Sequence, residues 1–130
     1  MYKPFLQWAT ILGAFAVVFG AFGAHTVKQY VPTESISSFE TGVRYQFYHA
    51  VALFAAGMVY EKFPGKWIRW AGNLFLIGIL LFSGSLYVLT IVKATDIVGL
   101  GGIGLITPIG GLFLIAGWIF LFVGLRSKLP

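Results

Sequence analysis

The stretch WAGNLFLIGILLFSGSLYVLTIV, residues 70–92, contains no charged side chain and lies between Arg69 and Lys93. At 1.5 Å per residue a helix over this stretch is about 35 Å long, enough to cross the roughly 30 Å hydrocarbon core of a bilayer. We therefore predict a membrane-spanning helix here.

The composition of the whole chain agrees with a membrane protein. Hydrophobic residues make up 58% of the 130 residues and charged residues only 10%, against about 25% charged in a typical soluble domain. The mean hydropathy is +0.89. The chain has no cysteine, so disulfides, thiolate metal sites and cysteine nucleophiles are excluded.

The gaps between charges predict four spans, at about 5–25, 39–60, 69–92 and 103–125, within a single domain of residues 1–130. The predicted fold is an all-α membrane protein, a compact four-helix transmembrane bundle. Ser37 and Glu40 have the spacing of a capping box, which predicts that the second helix begins there after a polar connector at 32–38. Gly110, Gly117 and Gly124 form a heptad stripe that favours close helix packing.

The basic residues predict the orientation. Six of them fall on one side of the four-span arrangement and three on the other; the six are Lys3, Lys62, Lys66, Arg69, Arg126 and Lys128, and the three are Lys28, Arg44 and Lys93. Because basic loops stay in the cytoplasm, we expect a multi-pass protein of the cell membrane with both termini on the cytoplasmic side. The net charge of +5 then suits an anionic leaflet, so we expect membrane lipids as partners and no nucleic acid.

A polar cluster opens the second span and is the candidate functional site. Polar side chains within lipid are costly and mark sites or helix contacts. Arg44 lies about 6 Å and His49 about 13 Å beyond Glu40 along the helix axis, and polar groups of the other helices fall at similar depths in the outer half. The candidate ligand-binding residues are Arg44, His49, Tyr45, Tyr48, Gln46, Ser83, Ser85, Tyr87, His25, Glu40 and Thr107.

Two kinds of contact are expected within this cluster. Glu40 and Arg44 are four residues apart on a helix and can form an ion pair. His49 can donate a hydrogen bond to Ser83 or Ser85 of the third span.

The short motifs of the chain do not indicate a cofactor site or a catalytic site. Gly99, Gly101 and Gly104 satisfy G-x-G-x-x-G, but the pattern lies between two spans rather than in a βαβ unit, so we interpret it as an entry to the fourth helix and predict no cofactor. The spacing of His25, His49 and Glu40 does not enforce a metal site, and we predict none. No catalytic residue is assigned.

Short motifs in each span resemble a known family. They are GAFGAH at 20–25, RYQFYHA at 44–50, GSLY at 84–87, and TPIGG at 107–111 followed by Gly117 and Trp118. Together they resemble the small membrane proteins of domain of unknown function 423, related to transmembrane protein 256. The resemblance covers nearly the whole chain and implies a four-span membrane protein whose biochemical activity is uncharacterised.

Three classes of function remain open on the sequence. The favoured one is a binding or accessory protein with a polar pocket in the outer half of the bundle for a lipid or other small amphiphile. A small oligomeric transporter or channel with His49 as proton-titrating group is the alternative. An enzyme with His49 as general base and Arg44 as electrophile lacks an obvious nucleophile. A homo-oligomer or a partner membrane protein is compatible with the first two classes.

Overall fold

The computed structural model of the protein describes residues 1–95 and 101–126. Four α-helices account for most of them: α1 (Lys3–His25), α2 (Thr33–Val59), α3 (Lys66–Thr95) and α4 (Ile106–Arg126). Short 3₁₀ segments, Val27–Gln29 and Gly101–Leu105, precede α2 and α4. The prediction of an all-α membrane protein is confirmed. Gly99 and Lys128, which entered the sequence predictions, lie outside the described residues.

Three of the helical segments are long and apolar enough to cross a membrane: Lys3–Gln29, Lys66–Thr95 and Gly102–Arg126. The second helix is not among them, because its first half carries the polar cluster. It is nevertheless 27 residues long, or about 40 Å, which exceeds the thickness of a bilayer core.

The start of α2 differs from the prediction. The helix begins at Thr33, with Pro32 in an extended conformation at the N-cap (φ −61°, ψ 158°). The prediction that a capping box at Ser37 and Glu40 begins this helix is therefore wrong. Most of the connector predicted at 32–38 is helical. Proline suits this position because it has no N–H to satisfy and its φ is fixed, while Glu34 places a negative charge in the first turn, where the helix dipole favours it.

The helices pack in chain order, α1 on α2, α2 on α3 and α3 on α4, each antiparallel to the next. Glycines make the α3–α4 contact close. A Cβ on Gly110 would collide with the backbone of Phe82, one on Gly117 with the ring of Phe75, and one on Gly124 with the side chain of Ile68. The predicted packing role of this stripe is confirmed, because each glycine admits the neighbouring helix where a larger residue would hold it away.

The buried core lies toward the end of the bundle where α1 and α3 begin. Phe5 of α1 is 2% exposed and lies over Gly72 of α3, where any side chain would collide with its ring. Leu53 and Phe75, fully buried, belong to the same cluster. Leu80, on the outer surface of α3, is 71% exposed, as expected for an apolar side chain that faces lipid.

This end of the bundle is also the basic one. It brings together the starts of α1 and α3 and the ends of α2 and α4, as the contacts of Tyr2 with Gly57 and of Gly124 with Ile68 require. The described residues at this end include five basic side chains, those of Lys3, Lys62, Lys66, Arg69 and Arg126. Its described acidic side chain, Glu61, lies 3.9 Å from the amino group of Met1. We call this end the basic end.

Candidate functional site

The polar cluster of α2 divides between the interior and the surface. Gln46 is 3% exposed and His49 5% exposed, whereas Arg44, Tyr45 and Tyr48 are exposed. The division follows from the helix period of 100° per residue. Gln46 and His49 are three residues apart and share the buried face, whereas Arg44, Tyr45 and Tyr48 point away from it.

Gln46 joins three helices through its amide. Its Nε2 donates to the carbonyl oxygen of Leu12 in α1 over 2.8 Å, and its Oε1 accepts from the hydroxyl of Tyr87 in α3 over 2.7 Å. Both ends of the amide are therefore bonded within the protein. Because a buried amide without partners is costly, this arrangement fixes the positions of α1 and α3 on either side of α2.

His49 joins α2 to α4. The indole Nε1 of Trp118 lies 3.0 Å from Nε2 of His49, and Nδ1 of His49 lies 2.7 Å from the carbonyl oxygen of Tyr45. An indole N–H can only donate, so Nε2 accepts and the proton of the neutral ring is on Nδ1, which donates to Tyr45. The predicted hydrogen bond from His49 to the α3 serines is wrong, because both ring nitrogens have these other partners.

The two α3 serines instead bond toward different helices. Ser83 donates to the carbonyl oxygen of Gly42 in α2 over 2.6 Å. Ser85 is hydrogen-bonded to the hydroxyl of Thr107 in the first turn of α4, and it also bonds the carbonyl oxygen of Phe82. These residues hold neighbouring helices together in the half of the bundle away from the basic end.

The exposed members of the predicted site do not join them. Arg44 donates from Nη2 to the hydroxyl of Thr41 over 3.1 Å, and residues 1–95 and 101–126 contain no ion pair between Arg44 and Glu40. The predicted pairing of these two residues is therefore wrong. Arg44 and Tyr48 line a small hollow of about 280 Å³ between α1 and α2, and His25 is exposed at the end of α1. The described residues contain no cluster of three or more potential metal-binding side chains.

A larger groove lies between α1 and α3, with α2 as its floor. Its volume is about 650 Å³. Gln46 is the contribution of α2, and the walls are formed by α1 and α3; the lining residues are Trp8, Leu12, Phe15, Phe19, Gln46, Leu76, Ile79, Leu80, Gly84 and Tyr87. A Cβ on Gly84 would meet nothing within 4 Å, so the groove is open at this position.

A second groove of about 430 Å³ continues between the same helices toward the other end of the bundle. Phe19 and Tyr87 line both grooves, and their rings meet edge to face with centroids 5.2 Å apart. This aromatic pair therefore marks the boundary between them.

Of the residues that line the groove, only Gln46 and Tyr87 are among the site residues predicted from the sequence. The α1 wall was missed, although a signal was present: Trp8, Leu12, Phe15 and Phe19 recur at spacings of four, three and four, which places them on one helix face. In a span that is apolar all round, such a stripe does not distinguish a groove from a lipid-facing surface.

The comparisons agree with this architecture. The family described as "Protein of unknown function (DUF423)" matches residues 19–111. The chain is 38% identical over 122 residues to the UPF0382 membrane protein YwdK of Bacillus subtilis. The matched region covers 93% of this chain and 94% of that relative.

Other relatives are similar over comparable lengths. A UPF0382 membrane protein of Haemophilus influenzae is 37% identical over 98% of both chains. The UPF0382 inner membrane protein YgdD of Escherichia coli is 32% identical over 92% of this chain and 86% of its own. No solved structure matches. The resemblance found in the motifs is thus confirmed: the chain belongs to the DUF423 family of membrane proteins.

Proposed function

We propose that this protein is an accessory protein of the cell membrane that holds a membrane lipid by an acyl chain in the groove between α1 and α3. The observation that carries the proposal is the groove itself, about 650 Å³ in volume and walled by apolar side chains of two apolar helices. This volume lies within the range of about 300–1,000 Å³ typical of ligand sites.

The hydrogen bonds of the groove floor support a hydrocarbon occupant. Gln46 uses its Nε2 and Oε1 on Leu12 and Tyr87, and Tyr87 uses its hydroxyl proton on Gln46. Within the described residues, every buried side-chain N or O atom has a hydrogen-bond partner. An acyl chain can therefore occupy the groove without breaking these bonds or removing an unpaired polar group from water.

The orientation is part of the proposal. We place the basic end in the cytoplasm, because its five basic side chains contrast with one described acidic side chain, that of Glu61, and positive residues favour the cytoplasmic side. Both termini then lie in the cytoplasm.

Photolabelling of the purified chain in phosphatidylcholine nanodiscs tests the groove. The probe is a phosphatidylcholine that carries a diazirine in its acyl chain, and the readout is the labelled residue found by mass spectrometry. We expect labelling at the groove, on Leu76 or Leu80, and a loss of at least about fivefold in Gly84→Leu, because a leucine there occupies open groove space.

The matched control is Gly13→Leu on α1. Gly13 also has open space around it and does not line the groove. We expect this variant to label the groove as the wild type does. Weaker labelling of Leu76, which is partly buried in the groove, than of Leu112, a lipid-facing leucine on α4, would show contact with bulk lipid only and would refute the proposal. Arg44→Ala serves as a second control, because Arg44 lines the hollow between α1 and α2 and not the groove. We expect this variant to label Leu76 and Leu80 as the wild type does.

A further inference from the structure

A cleft at the basic end brings several polar side chains together. It has a volume of about 280 Å³ and is lined by Tyr2, Lys66, Arg69, Trp70 and Asn73. The side chains of its four polar members form no hydrogen bond or ion pair within the described residues. Ammonium and guanidinium groups only donate, so the cleft presents several donors and two positive charges.

Within residues 1–95 and 101–126, no carboxylate forms an ion pair with either cation of the cleft. Glu61 lies beside the amino group of Met1 rather than beside either cation of the cleft. The first turn of α3, where Lys66 and Arg69 lie, contains no acidic residue. An anion that entered the cleft would therefore meet positive charge without displacing any carboxylate that the structure describes, and phosphate oxygens suit such donors.

The cleft and the groove share one face of α3. Arg69, Asn73, Leu76 and Leu80 follow one another at spacings of four, three and four, which aligns them along the helix. The first two line the cleft and the last two line the groove. From Arg69 to Leu80 the rise is about 16 Å, close to half of a roughly 30 Å bilayer core, which is the depth of one leaflet.

The aromatic residues at the cleft are typical of headgroup level in a membrane. Trp70 lines the cleft and is 55% exposed, and the neighbouring Trp67 has the ammonium of Lys66 5.2 Å from the centre of its ring. Tryptophan is enriched where headgroups meet the hydrocarbon core. At that level the cleft would lie beside the phosphodiester of a lipid and the groove beside its acyl chain.

We propose that the occupant of the groove is an anionic phospholipid of the leaflet at the basic end, with its phosphate bound by Lys66 and Arg69 and its acyl chain along Leu76 and Leu80. This proposal rests on the proposed function and adds the ligand class and its headgroup contacts.

Native mass spectrometry of the full chain tests the headgroup site. Delipidated protein receives either phosphatidylglycerol or phosphatidylcholine with the same acyl chains, so only the headgroup differs. We expect the wild type to retain phosphatidylglycerol about tenfold better, because the two basic side chains of the cleft attract an anionic headgroup. The variant Lys66→Gln/Arg69→Gln should lose this preference, and Lys66→Arg/Arg69→Lys should keep it.

The matched control is Lys3→Gln/Lys62→Gln, which removes the same charge from the same end without touching the cleft. It should keep the preference. Loss of the preference in both double variants, or its absence in the wild type, would overturn the headgroup assignment in favour of general charge attraction. Phosphatidylglycerol retention that inorganic phosphate abolishes and Gly84→Leu leaves unchanged would also overturn it, because the site would then bind phosphate alone.

The outcomes separate this proposal from the one on which it rests. If the wild type retains both lipids equally and Gly84→Leu lowers the retention of both, the groove is supported as a lipid site and the headgroup site is refuted. If the wild type retains neither lipid better than Gly84→Leu does, the groove itself is refuted as a lipid site.

Discussion

The indole N–H of Trp118 donates to Nε2 of His49 over 3.0 Å and so joins α4 to α2. The ring of Phe75, from α3, lies between these helices, with its centre 5.6 Å from that of His49 and 5.3 Å from that of Trp118. A polar bond and two aromatic contacts therefore tie three helices at one level. This arrangement gives His49 a structural role without reference to any ligand.

Replacement of Trp118 with phenylalanine removes the donor and keeps an aromatic ring. We expect Trp118→Phe to lower the free energy of unfolding by about 1 kcal/mol, because interhelical hydrogen bonds in membranes contribute about 0.6 to 2 kcal/mol. Unfolding in sodium dodecyl sulfate, followed by circular dichroism, measures the change. The control is Trp8→Phe, since Trp8 is similarly exposed and its side chain forms no hydrogen bond in the described structure. Equal losses in both variants would argue that packing alone is involved.

The glycines predict a contrast in the effect of the same substitution. A Cβ on Gly110 would lie within 3 Å of the backbone of Leu81 and Phe82, which cannot move away as a side chain can, whereas a Cβ on Gly84 would meet nothing within 4 Å. We expect Gly110→Ala to destabilise the protein by about 1–3 kcal/mol through overpacking. Gly84→Ala should be neutral or stabilising by up to about 1 kcal/mol, because alanine is the better helix former. The same unfolding titration compares them, and a neutral Gly110→Ala would contradict the close α3–α4 contact.

Helix type and the glycine contacts were accessible from the sequence because they depend on local patterns. Long uncharged segments predict helices in lipid, and the spacing of Gly110, Gly117 and Gly124 predicts a close contact. The start of α2 was misjudged because two signals compete there. Ser37 and Glu40 fit a capping box, but Pro32 and Glu34 fit a helix start five residues earlier, and the structure adopts the second.

The candidate site was only partly predictable, since the partners come from other helices. The sequence identified Gln46, His49 and Tyr87 as unusual in an apolar setting, yet nothing local indicates that Gln46 meets a backbone carbonyl of α1 or that His49 meets Trp118. Sequence spacing determines which residues share a helix face. The rotation of each helix against its neighbours is determined by packing, which decides whether a polar side chain is buried.

The hydrogen bond between Gln46 and Tyr87 predicts non-additive mutations. Gln46→Leu removes both amide bonds and leaves the Tyr87 hydroxyl without its acceptor, so we expect a loss of about 1–3 kcal/mol in the free energy of unfolding. Tyr87→Phe in the wild type should cost about 1 kcal/mol, whereas in the Gln46→Leu background it should cost little or nothing. The double-mutant cycle measures this coupling. Additive losses would indicate that the two side chains act independently.

The absence of cysteine from the chain permits a direct measurement of orientation. Lys62, in the turn between α2 and α3, belongs to the basic end, and Lys28, in the 3₁₀ segment after α1, belongs to the opposite end. With the basic end in the cytoplasm, a membrane-impermeant maleimide added to intact cells should label Lys28→Cys and should label Lys62→Cys only after permeabilisation.

The same labelling also tests whether α2 crosses the membrane, which its hydropathy alone does not indicate. Glu34→Cys at the start of α2 is the matched control and should behave as Lys28→Cys does. The reverse pattern would invert the proposed orientation and place the Lys66 and Arg69 cleft in the outer leaflet. Labelling of Lys28→Cys and Lys62→Cys from the same side would contradict a transmembrane α2, because these two positions lie beyond its opposite ends.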